Sequence, residues 1–160
     1  MSQGGFDMSK MSTASKILLG AGILYFIDLL LQWNRVCFLS LCQGVTGWHG
    51  LGIVNGILVT LIIVMEVALL FGITIDVGTI AMRMQIEAIL AFGVLVFTIL
   101  KVIVDNEFIS WPAWVGLILA VVIGYGGWMR WQESSVSTGM GGMTGGGMGG
   151  GMGGDTPPMP

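Results

Sequence analysis

The sequence predicts an all-α membrane protein: a bundle of four hydrophobic helices, up-down-up-down, with both termini cytoplasmic. Three observations predict it: too little charge for a soluble surface, four apolar runs long enough to cross a bilayer, and tryptophans at the ends of those runs. Of the 160 residues, 54% are hydrophobic and 9% are charged, against roughly 25% charged in a soluble domain. A soluble fold this poor in charge has little with which to cover its surface. Lys and Arg number 6 and Asp and Glu 9, a net charge of -3. That balance is small and dispersed, which excludes nucleic acid as a partner, because its recognition needs a clustered basic face.

A polar segment, 1–15, comes first. The apolar run that follows, Ile17 to Leu31, meets Asp28 where a secretory leader would carry a small-residue cleavage site. The first helix is therefore expected to stay in the mature protein. Apolar runs at 16–33, 48–72, 84–104 and 111–130 each come close to or exceed the ~20 residues that cross a hydrocarbon core of about 30 Å, and 16–132 forms the membrane domain. Trp33, Trp48, Trp111 and Trp114 fall at one set of helix ends, Trp128 and Trp131 at the other, the placement of two interfacial belts. The connections at 73–83 and 105–110 are short and join antiparallel neighbours. At Ser110-Trp111-Pro112 a serine can cap the fourth helix and a proline fits its first turn.

Orientation follows from the basic residues. With both termini inside, Lys10, Lys16, Arg83 and Arg130 are cytoplasmic, while Arg35 and Lys101 face outward, in keeping with the positive-inside rule. The predicted location is the cell membrane, multi-pass. From 133 to 160 the composition turns to Gly with periodic Met, ending in Asp155-Thr156-Pro157-Pro158. Glycine at that density cannot offset its backbone entropy by burial, so this tail is predicted to be disordered.

Winding each helix at about 100° per residue collects its polar residues on one face. Ala21, Tyr25, Asp28, Gln32 and Arg35 align on the first helix. On the second the stripe is His49, Gly52, Asn55, Gly56, Val59, Ile63 and Glu66. On the third it is Arg83, Glu87, Ala91, Val94, Thr98, Lys101 and Asp105. Ionised groups facing lipid cost about 2.5–3.5 kcal/mol, so the stripes should turn inward. The intramembrane candidates are Asp28, His49, Asn55, Glu66, Arg83, Glu87 and Lys101. Asp28 is expected to pair with Lys101 or His49, and Glu66 or Glu87 with Arg83. Asp28, His49 and Lys101 are expected toward the outer side and Glu66, Glu87 and Arg83 toward the cytoplasm, and between these two layers Val59, Ile63, Val94 and Thr98 are expected to form a dry plug. Such pairs can fix helix register alone, or line a proton or ion path; the plug favours the first.

Gly52 and Gly56 form a G-x-x-x-G, and Gly116, Ala120 and Gly124 repeat small residues every fourth position. This spacing lets helix backbones approach closely, either within the chain or between subunits; packing within the chain is the simpler expectation. Cys37 and Cys42 lie in the most individual stretch, 33–50, where a disulfide could staple a tight hairpin on the outer face. Thiol-to-quinone redox chemistry fits poorly, since the spacing is C-x4-C and no second pair exists. No metal is expected: Cys37, Cys42 and His49 match no ligand spacing, and the methionines of the tail, which could hold Cu(I), read more simply as part of a Gly-rich spacer. The chain has no G-x-S-x-G, H-E-x-x-H, P-loop or dinucleotide fingerprint. Neither an enzyme nor a cofactor is expected.

Trp33-x-Arg35-Val36-Cys37, then Cys42, then Gly47-Trp48-His49-Gly50-x-Gly52, with Lys101-Val102-Ile103-Val104-Asp105-Asn106 before the fourth helix, resembles small four-helix membrane proteins of actinobacteria. The resemblance covers roughly 16–132; it implies a fold and a membrane location, and lends no catalytic residue. The expected role is that of a non-enzymatic accessory, scaffold or regulatory subunit, with the bilayer and a membrane protein or a second copy as partners. The alternative is a small transporter or channel subunit that uses the intramembrane carboxylates.

Overall fold

The computed structural model describes residues 11–38, 41–73, 80–105 and 109–140; side chains at 36–38, 41–42 and 137–140 are outside the description. Four helices carry the fold: α1 (Thr13–Leu29), α2 (Leu51–Leu70), α3 (Ile80–Val104) and α4 (Trp111–Met140), with strands β1 (Gln32–Phe38) and β2 (Leu41–Thr46) between α1 and α2. Each helix packs along its neighbours in sequence, and α1 also packs along α4, which closes the ring. Leu18, Ala21, Val59, Ile62, Ala91, Val94, Ala120 and Ile123 fill its centre. The outward faces are apolar: Ile27, Ile57, Ile89, Ile103 and Ile118 are among many exposed aliphatics.

Three helices, Leu51–Leu70, Ile80–Val104 and the Trp111–Val136 part of α4, are long and apolar enough to cross a membrane. The first apolar run departs from expectation. It leaves the helix at Leu29 rather than at 33, where the Leu30 N–H donates to the Ile27 carbonyl and the Leu31 N–H to the Asp28 carbonyl, both at 3.0 Å, and the chain turns into β1. That leaves α1 with 17 residues, about 25 Å at 1.5 Å per residue. At the other end α1 begins inside the segment 1–15: Ser12 is its N-cap, accepting from the Ser15 N–H at 3.3 Å.

One two-stranded hairpin stands between the helices α1 and α2. β1 and β2 pair antiparallel with Cys37 opposite Cys42 and Arg35 opposite Gly44. Gln32 faces Thr46 and Asn34 faces Val45, so Trp33 is the extra residue of a bulge, a device that re-aims a side chain. Here it turns the indole into the bundle, where Trp33 is 1% exposed, and its carbonyl, outside the ladder, accepts the Ser110 N–H at 2.7 Å. Trp33 is thus a core residue and not part of an interfacial belt. Trp111 and Trp114 at the start of α4, and Trp128 and Trp131 within its second half, are exposed.

α2 stops at a Schellman turn: the Ile73 N–H reaches the Ala68 carbonyl at 2.9 Å and the Gly72 N–H reaches Leu69 at 3.0 Å. Gly72 takes φ 68° there, the left-handed conformation glycine adopts without strain. α4 runs ten residues past its predicted end at 130, through Met140. Residues 131–138 contain no glycine or proline to break it, and buried Ser134 holds it to the bundle. The tail therefore begins no earlier than 141, and residues 141–160 lie outside the described residues.

Candidate functional site

Polar groups inside the bundle gather in two clusters, separated by the apolar middle. At one, α4 contributes Arg130, 4% exposed. Its guanidinium donates to Ser15 of α1, lies 2.9 Å from Glu66 Oε1 of α2 and 3.0 Å from Glu87 Oε2 of α3, and also meets Glu133 Oε2 at 3.2 Å. One planar group therefore ties all four helices, using the fork geometry for which arginine is suited. Arg83 adds a second cation, 3.2 Å from Glu87 Oε1 and donating to the Met65 carbonyl at 2.6 Å.

The expected pairing of Arg83 with Glu87 is present; Glu66 pairs instead with Arg130. Arithmetic on charge explains why: Glu66 and Glu87 are both buried, and a single Arg83 cannot compensate two carboxylates in a low-dielectric interior. Sequence reading missed Arg130 because it stands between Trp128 and Trp131 and looks like an interfacial anchor. Its signal was helical spacing: Gly116, Ala120, Ile123 or Gly124, and Gly127 lead along the inner face to Arg130.

The second cluster lies at the hairpin end. Tyr25 Oη and Thr98 Oγ1 are 2.6 Å apart, Asn55 Nδ2 donates to Thr98 Oγ1 at 3.1 Å, and Thr98 also reaches the Val94 carbonyl at 2.7 Å. Thr98 thus belongs to a polar cluster and not to the dry plug. Val59 and Val94, fully buried, hold the plug position, while Ile63 packs against the core from its edge. Lys101 donates to the His49 carbonyl at 2.8 Å and to Asp105 Oδ2 at 2.9 Å, with its ammonium 5.9 Å from the centre of the Trp33 ring.

The expected pairing of Asp28 with Lys101 or His49 is not made. Lys101 is turned toward Asp105 one helical turn further on, and His49 is exposed at the junction into α2. Asp28 is 4% exposed, and neither carboxyl oxygen has a hydrogen-bond partner among the described residues. Trp33 Nε1 donates to the Asp28 backbone carbonyl at 3.0 Å.

The small residues receive neighbours within the chain. A Cβ on Gly52 would overlap the Gly47 carbonyl, and one on Gly56 would strike the Trp48 ring, so this G-x-x-x-G admits the chain that leaves the hairpin and not another helix. Gly116 faces Asp28 and Trp33, a Cβ added to Gly124 would fall 3.0 Å from the Leu95 side chain of α3, and Ala120 is buried. Cys37 and Cys42 are opposed in the hairpin register, with side chains outside the described residues. Among the described residues, no group of three His, Cys, Asp or Glu side chains is placed to hold a metal ion. No protein-family model, curated protein or solved structure matches the chain.

Proposed function

We propose that the chain is a four-span integral membrane protein of the cell membrane that acts by contact, as a non-enzymatic accessory, scaffold or regulatory subunit of a membrane assembly. The observation that carries this reading is how the buried cations are used. Arg130 is spent on Ser15, Glu66 and Glu87 of the three other helices, and Lys101 ties α3 to the start of α2. Groups held this way set helix register, and the buried middle between them is aliphatic, which opposes a conducting path through one copy. The exposed aliphatic faces, those of Ile23, Leu24 and Ile27 on α1 included, support a bilayer setting for all four helices.

An up-down-up-down order is supported by the ends that meet: the start of α1, the end of α2, the first third of α3 and the second half of α4 share the Arg130 cluster. The start of α1 and the end of α4 then share one face, and Lys10, Lys16 and Arg83 favour reading it as the cytoplasmic one. Native-nanodisc purification tests the proposal. A stoichiometric membrane-protein partner, or a discrete homo-oligomer, is expected to travel with the chain, and purified protein in liposomes should pass protons and monovalent ions no faster than empty liposomes. Flux well above that background would overturn it in favour of a transporter or channel subunit.

A further inference from the structure

Among the described residues, Asp28 stands apart from every other buried charge. Glu66, Glu87, Arg130 and Lys101 all have ionic partners within 3.2 Å, whereas both carboxyl oxygens of Asp28 are buried and without a hydrogen-bond partner among the described residues. We propose that Asp28 is a proton-binding site: its carboxyl group holds one exchangeable proton at the hairpin end of the bundle.

Among the described residues, the surroundings supply no other way to compensate a charge. Tyr25, one turn earlier on α1, is committed to Thr98. From the hairpin, Trp33 spends its indole N–H on the Asp28 backbone carbonyl, and Arg35 is engaged with Gln32 in an exposed contact. His49, ahead of α2, is exposed, and Asn55 of α2 donates to Thr98. On α3, Lys101 and Asp105 pair with each other. α4 presents Gly116, whose Cα–H side lies so close that an added Cβ would fall 2.6 Å from Asp28 Oδ2. Asp28 is also the last residue but one of α1, at the carbonyl end of the helix, where the helix dipole places partial negative charge beside it. A proton on either oxygen removes the formal charge without needing a partner that the fold does not provide.

Infrared spectroscopy of the full chain in nanodiscs tests this directly. The wild-type protein is expected to show the carbonyl stretch of a protonated carboxyl group at neutral pH, shifted in deuterated buffer and fading as the buffer is made alkaline. Asp28→Asn should abolish the band, Asp28→Glu should retain it at an altered frequency, and Glu66→Gln and Glu87→Gln should leave it in place. Aspartate-specific carboxyl isotope labelling of wild-type protein should move the band, a reading that does not depend on any variant folding. Absence of the band from the wild type at neutral pH, or a band untouched by both the label and Asp28→Asn, would overturn the proposal.

Discussion

Arg130 reaches three helices besides its own with one planar group, so the cost of losing it falls on the carboxylates left behind. Arg130→Met is expected to destabilise the bundle by about 3–5 kcal/mol, the range for breaking a buried ion pair from one side. Combining it with Glu66→Gln should restore most of that loss, since Arg83 then balances Glu87 and the penalty lies in uncompensated charge and not in missing contact. Thermal unfolding in one fixed nanodisc composition measures both, and a loss below about 1 kcal/mol for Arg130→Met would remove the cluster from any account of stability. Helical periodicity brings Asp28, Asn55, Glu66, Glu87 and Lys101 to inner faces, and all five are buried. It cannot say which of them meet, because partners are set by the depth and rotation of whole helices. That is why Asp28 and Lys101, expected as a pair, have separate fates.

Between α1 and α2 the chain forms an element that the apolar pattern could not resolve. Trp33-Asn34-Arg35-Val36-Cys37-Phe38 is short, aromatic and β-branched, and a run of that kind reads equally as the end of a helix or as a strand. What decides it is tertiary: the Trp33 bulge fits under the hairpin and its carbonyl takes the Ser110 N–H. The register gives the cysteines a testable consequence. Directly opposed residues of an antiparallel ladder lie about 4.5–5.5 Å apart at Cα, within the roughly 4.4–6.8 Å span of disulfides. Thiol labelling of folded or denatured protein is expected only after reduction, and the Cys37→Ser, Cys42→Ser double variant should lose about 2 kcal/mol, the low end for so short a loop. Complete labelling of denatured protein without reductant would sink the bridge.

At the scale of the molecule, two ties close opposite ends of a four-helix ring, one through Arg130 and one through Lys101 and the Trp33 bulge. Apolar run lengths made the four helices legible, and short connections made their adjacency legible. The end of α4 was not, because the change from apolar to polar residues after Arg130 marks a change in hydropathy, not where a helix ends. A truncation series separates the two. Removing residues after Met140 is expected to leave the unfolding temperature nearly unchanged, since glycine of that density contributes little packing. Ending the chain at Ser134 keeps Arg130, Glu133 and the Ser134 hydroxyl bond to the Trp131 carbonyl, so it should cost about 1 kcal/mol or less, mostly from helix fraying. Ending it at Met129 removes the guanidinium, strands Glu66 and leaves Glu87 with Arg83 alone, and should destabilise at least as much as Arg130→Met. Equal losses at all three cuts would mean that the segment beyond Met140 packs against the bundle, whereas a step between Ser134 and Met129 places the boundary of the folded unit at the arginine tie.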